Sequence, residues 1–142
     1  MKVVLDTNVW VSGLLWGGVP GEILKLAQSQ QINIVASAAL LQELESTLSY
    51  VKLQQRISLL GVTAEDLMLL VTQLVEIFSI SPLSVPQLRD RDDTAIISTA
   101  IAGNVYAIVT GDRDLLILKE FAEIIILKPQ DFLQIVIDKT GS

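Results

Sequence analysis

Two kinds of apolar run alternate along this chain. Lys2–Leu5 (KVVL), Gln31–Ala36 (QINIVA), Val105–Val109 (VYAIV) and Glu123–Leu127 (EIIIL) are short and nearly unbroken, and each gives way to polar or turn-forming residues. Such runs predict strands buried on both faces, as in a parallel sheet. Between them the apolar positions recur at three and four, which predicts helices with one buried face. One helix runs from Val9 to Trp16 and stops at Gly17-Gly18; a second opens at Pro20-Gly21 with Ile23, Leu24, Leu26 and Ala27 on one face. Ser37 is a good N-cap for SAALLQELESTLSY, and a further helical segment covers Val51–Leu60 up to Gly61. Thr63 with Asp66 three residues on has the form of a capping box for TAEDLMLLVTQLVEIF, whose end, Val75–Ile80, reads as a short third strand. Pro82 and Pro86 mark a loop into LRDRDDTAIISTAIAGN, which is helical in period and stops at Gly103-Asn104. Pro129 starts a closing helix, PQDFLQIVIDK. Strands alternating with helices predict an α/β fold, a mainly parallel sheet covered on both faces, with residues 1–142 as one domain.

That architecture gives the acidic residues a common address. Eight of the sixteen fall in four places: Asp6 after the first strand, Glu43 and Glu45 in the helix after the second, Asp90, Asp92 and Asp93 opening the late helix, and Asp112 and Asp114 after VYAIV. All four lie beyond the carboxyl ends of strands or in opening turns of helices, and in an open α/β sheet that edge is where ligands bind. Each has an ordinary explanation taken alone. Asp6 ends a strand or caps a helix, the run at 90–93 suits a helix dipole, TGDRD makes a turn, and helical spacing turns Glu45 away from Glu43 into solvent. Together they are harder to explain so. Two carboxylates about 4 Å apart repel by roughly 4 kcal/mol at an effective dielectric near 20, and a divalent cation in their midst removes that penalty.

Composition narrows the chemistry. The chain has no Cys and no His, which excludes disulfides, thiolate nucleophiles, imidazole bases, Ser-His-Asp catalysis and the usual zinc sites. Carboxylates without imidazole favour a hard cation, Mg²⁺ or Mn²⁺. An apolar fraction of 51% and a mean hydropathy of +0.54 fit an aliphatic core plus an apolar patch for a partner. No stretch is long and apolar enough to span a membrane, and Asp6 and Asn8 interrupt what would otherwise be a signal-peptide core, so the expected location is cytoplasmic.

VVLDTNVWVSGLL, the helix carrying LLQEL, RDRDDTAIISTA and VYAIVTGDRDLL resemble, in order, the four motifs of the PIN-domain family. The similarity runs from the first strand to PQDFL and is strongest to the small prokaryotic toxins of toxin–antitoxin pairs (VapC-like). The resemblance implies an α/β/α sandwich with sheet order 3-2-1-4-5, a homodimer, an antitoxin partner and a metal-dependent ribonuclease. By position it makes Asp6, Glu43, Asp93 and Asp112 the catalytic acids and metal ligands. Asn8, Thr110 and Asp114 become auxiliaries. The chain departs from the pattern at Arg91 and Thr94, where relatives often carry Pro and a further Asn or Asp. Metal chemistry of this kind lowers the pKa of bound water for in-line attack on a phosphodiester, leaving a 5′-phosphate.

A net charge of −6 argues against broad affinity for RNA, although much of it is the acidic site, whose sign a metal reverses. Arg89, Arg91 and Arg113 beside the acids are the candidate phosphate contacts, and a narrow RNA range suits this charge. Trp10 and Trp16, with helical apolar neighbours, read as core or interface. Three rivals are weighed against this reading. A receiver-like regulatory module shares the acidic rim and a Lys-Pro after the last strand, but it needs paired acids after strand one and an Asp after strand three. No Asp occurs between Asn8 and Asp66. A phosphatase of the haloacid-dehalogenase type would want Asp where Asn8 stands. The third rival is a PIN-fold protein-binding module without activity.

Overall fold

The computed structural model describes residues 1–81 and 91–139, with the backbone alone at 91 and 92. In chain order its elements are β1 (Lys2–Leu5), α1 (Thr7–Leu15), α2 (Gly18–Gln28), β2 (Asn33–Ala36), α3 (Ala38–Leu48), α4 (Val51–Leu59), α5 (Ala64–Leu74), β3 (Val75–Ile77), α6 (Arg91–Ala102), β4 (Ala107–Val109), α7 (Arg113–Leu116), β5 (Glu120–Phe121), β6 (Ile124–Leu127) and α8 (Pro129–Lys139). The sheet order is β3-β2-β1-β4-β6-β5, parallel throughout except for the β5–β6 pair. This is the expected order 3-2-1-4-5 with β6 as its fifth parallel strand and one short strand added at the edge.

Side-chain alternation along the strands divides the core in two, as a sheet with both faces covered requires. Val3, Leu5, Ile34, Ala107 and Val109 face one way, onto Trp10 and Leu15 of α1, Ile23 of α2, Leu44 and Leu48 of α3, and Phe132 of α8. Val4, Val35, Ile108 and Ile126 face the other way, onto Ile96, Ile97 and Ala100 of α6 and Leu115 of α7. Gly103 ends α6 against β2 so closely that a Cβ there would meet Val35 Cγ1 at 2.6 Å. The Thr63–Asp66 capping box is present in both directions, 3.1 and 2.9 Å.

Boundaries moved where turn chemistry outweighs periodicity. The first helix begins at Thr7, and α2 begins at Gly18, because Pro20 is tolerated inside a first helical turn. Of the two tryptophans read as core or interface, Trp10 is core and Trp16 is 57% exposed. The loop marked by Pro82 and Pro86, and Arg89 and Asp90 within the acidic stretch, lie outside the described residues. Among the described residues no single helix is long and apolar enough to cross a membrane.

The edge hairpin was not legible, because its two turn residues are Ala122 and Glu123, with φ of 50° and 68°. A two-residue hairpin turn of this hand needs positive φ at both positions, which Asn-Gly supplies without strain and these residues do not. Ala122→Asn combined with Glu123→Gly is therefore expected to raise stability by about 1 kcal/mol. Urea denaturation of parent and variant tests this, and an unchanged or lower midpoint would show that the turn is not strained.

Candidate metal centre

The site lies where the chain reverses its direction of travel across the sheet. From β1 the strands proceed to β2 and β3 on one side, then to β4 and β6 on the other, so β1 and β4 are neighbours whose connections diverge. Such a switch point leaves a crevice at the carboxyl ends of the strands. Register sets the contents of the crevice. Leu5 pairs with Val109, and the Asp6 amide donates to the Val109 carbonyl at 3.0 Å, bringing Asp6 alongside Thr110.

Asp6 occupies the N-cap position of α1, yet its side chain makes no capping hydrogen bond there. Instead its Oδ2 accepts from the Thr110 hydroxyl at 2.7 Å. The same Thr110 Oγ1 accepts from the Asp112 amide at 3.0 Å, and Asp112 Oδ1 accepts from the Asp114 amide at 2.8 Å while capping α7. One fully buried hydroxyl thus uses its donor on one candidate acid and its acceptor on the backbone of another.

The late helix α6 precedes β4 and runs antiparallel to it, which returns its N-terminus to the same edge. Asp93, in that first turn, is buried, and its negative charge is favoured by the helix dipole. Carboxylate oxygens of Asp93, Asp112 and Asp114 all lie within 4.8 Å of one another. Ligand oxygens of one Mg²⁺ sit about 2.1 Å from it and so at most about 4.2 Å apart, and those of Ca²⁺ or a relaxed site somewhat more. Three oxygen donors in that envelope, buried, half-buried and exposed respectively, fit a hard divalent cation reached from solvent.

The other expected residues are placed as follows. Glu43 is half-buried on α3 and Glu45 is exposed, as helical geometry requires for residues two apart. Asn8 is exposed in the first turn of α1, and Arg113 is exposed at the start of α7, directly between Asp112 and Asp114. Among the described residues the mutually close trio contains Asp114, expected only as an auxiliary acid, and does not include Asp6 or Glu43. Arg89 lies outside the described residues, as does the side chain of Arg91.

Nothing in the spacing singled out Ser37 and Thr99 as a pair. The Leu40 amide donates to Ser37 Oγ at 3.4 Å, Ser37 and Thr99 hydroxyls meet at 2.8 Å, and Thr99 donates to the Ala95 carbonyl at 2.8 Å. This buried relay ties the start of α3, which carries Glu43, to α6, which carries Asp93. Sequence offered only the N-cap half of it.

A match to the PIN domain family covers residues 2–114, from β1 through the Asp112-Arg113-Asp114 turn. The chain belongs to the PIN-domain family. PIN domains are generally metal-dependent nucleases, and membership retires the receiver reading. A curated relative, an uncharacterised protein of Methanocaldococcus jannaschii, is 32% identical over 126 residues, covering 84% of this chain and 76% of that protein. Among solved structures, a chain from the crystal structure of VapBC2 from Rickettsia felis bound to a DNA fragment from their promoter superposes with a TM-score of 0.60. That match has 21% sequence identity and covers 89% of this PIN chain and 97% of the other.

The hydroxyl bridge gives a test of how the PIN site is held. Thr110→Val removes the hydroxyl from the Asp6 carboxylate and the Asp112 amide and is expected to cost about 1–3 kcal/mol, whereas Thr110→Ser is expected to retain most of the stability. Urea unfolding of the three proteins distinguishes them; equal stability of the Val variant and the parent would remove Thr110 from the scaffold of the site.

Proposed function

We propose that this PIN protein is a metal-dependent endoribonuclease and the toxin of a toxin–antitoxin pair, with residues 1–142 as its single domain. The observation that carries the reading is the convergence of the Asp93, Asp112 and Asp114 carboxylates at the switch point of the sheet. When bound there, a Mg²⁺ or Mn²⁺ ion supplies Lewis acidity toward a phosphoryl oxygen and toward water. Asp93, Asp112 and Asp114 would hold the ion. Asp6, oriented by Thr110, and Glu43, on the helix pinned through Ser37 and Thr99, would extend the acidic wall and supply hydrogen-bond acceptors beside the ion. Arg113 contacts a phosphate, with Arg89 and Arg91 as further candidates, and Asn8 orients groups beside Asp6. The likeness to a chain of VapBC2 supports an antitoxin partner, and a homodimer and a cytoplasmic location belong to the same reading.

Labelled RNA incubated with Mg²⁺, Mn²⁺ or chelator tests the activity. The parent is expected to leave 5′-phosphate ends in either metal and nothing in chelator. Asp93→Asn and Asp112→Asn are expected to lose at least about 100-fold, as the removal of a catalytic group commonly does, and Glu45→Gln is expected to be close to the parent. A parent inactive on every RNA in both metals would instead support the protein-binding module.

Thermal melting checks the metal assignment independently of the substrate. Asn caps a helix as well as Asp, so Asp112→Asn keeps the α7 cap while removing one charge from the trio. Before solvent screening, each carboxylate pair at this separation repels by about 3 kcal/mol at an effective dielectric near 20. The variant is thus expected to melt a few degrees above the parent in chelator. Mg²⁺ is expected to stabilise the parent, because the ion binds the assembled site and not the unfolded chain, and to stabilise the variant much less. Equal metal shifts in both would place the ion elsewhere.

A further inference from the structure

Of the seven aromatic side chains in this protein, two are exposed, Trp16 at 57% and Tyr50 at 50%. Both lie against the same short helix. The Arg56 guanidinium on α4 sits 5.6 Å from the centre of the Trp16 ring, and its Nε donates to the Leu15 carbonyl at 2.7 Å, fixing it there. The Lys52 ammonium lies 5.8 Å from the centre of the Tyr50 ring. Lys52 and Arg56 are four apart, hence neighbours on one face of α4. The face therefore reads Tyr50, Lys52, Arg56, Trp16, two rings bracketing two cations.

Positive charge without acidic partners marks this surface. No acidic residue occurs between Glu45 and Glu65, although the whole chain carries sixteen. Among the described residues neither Lys52 nor Arg56 is ion-paired; the pairs present are Lys2–Glu76 and Lys25–Glu22. An acidic protein thus keeps two cations without ion-pair partners on one helix face and sets its two exposed aromatic rings against them. Interleaved rings and cations suit a ligand that has both flat faces and regularly spaced negative charge.

We infer that the α4 face with Trp16 is a docking surface for single-stranded RNA, whose bases stack on Trp16 and Tyr50 while its phosphates meet Lys52 and Arg56. This takes its ligand class from the nuclease reading, and it supplies a source of RNA affinity outside the acidic rim. Contacts of this kind are tolerant of base identity, so the surface adds grip along a strand and leaves sequence choice to other parts of the molecule.

The test measures binding without cleavage. A fluorescein-labelled oligo(A) is titrated with the full chain in chelator at low salt, following anisotropy for affinity and tryptophan emission for location. Trp10 is buried, so quenching reports Trp16. Trp16→Ala and Tyr50→Ala are each expected to weaken binding roughly 5- to 150-fold, and Trp16→Phe and Tyr50→Phe to restore most of it. Lys52→Gln is expected to reduce the slope of log affinity against log salt by about 0.7. Melting curves confirm that the exposed-residue variants are folded. The inference is overturned if Trp16→Ala with Tyr50→Ala binds as tightly as the parent. It is also overturned if poly-glutamate, which offers charge without flat faces, quenches Trp16 as strongly as oligo(A). A parent that binds through this face but cleaves no RNA in Mg²⁺ or Mn²⁺ supports the docking surface and retires the nuclease reading alone.

Discussion

The arrangement of the molecule turns on the Thr110 hydroxyl, buried between the ends of β1 and β4. With one proton to give and lone pairs to receive, it binds the Asp6 carboxylate and the Asp112 amide together. Backbone register brings the two strand ends level, but register alone leaves a carboxylate free to turn outward and cap its own helix. The hydroxyl decides that choice for Asp6. The capping function falls instead to Asp112 at the next helix, where it coincides with closeness to Asp93 and Asp114.

Like charges brought this close oppose folding, and the fold offsets them in different ways at each acid. Asp93 is buried within the first turn of a helix, where unpaired amides and the helix dipole favour negative charge. Asp112 accepts an amide hydrogen bond, and Asp114 remains in contact with water. Burial thus falls from interior to solvent across the three carboxylates. The hydroxyl relay from Leu40 through Ser37 and Thr99 to Ala95 adds rigidity between the helices bearing Glu43 and Asp93.

Much of this was legible in the residues and some of it was not, for reasons that can be named. Aliphatic runs gave β1, β4 and β6, because strands covered on both faces have no alternation to confuse with helix. Placing Asp6 after β1 and Asp112 after β4 put them on one edge before any coordinates. The close trio was harder: whether Asp6 or Asp114 stands nearest Asp93 depends on side-chain torsions set by Thr110 and the α7 cap, and periodicity carries no torsions. The Ser37–Thr99 pair spans 62 positions, beyond the reach of any local pattern. Trp16 was left open between core and interface, because it continues an apolar run yet is the residue at which α1 has already ended.

The hairpin at the rim of the sheet has a consequence for how copies of this chain behave toward each other. β6 reads Ile-Ile-Ile-Leu, an aliphatic strand of the kind that recruits further strands when its outer hydrogen-bonding side is open. Two residues of β5, Glu120 and Phe121, pair along that side, and the Ile126 amide reaches back to the Lys119 carbonyl at 2.9 Å. The strained turn at Ala122 and Glu123 is what folds this short cover into place. A two-residue strand carrying Glu120 then presents the sheet's outer boundary, and it is too short to template a neighbour. The hairpin is best understood as protection against edge-to-edge polymerisation.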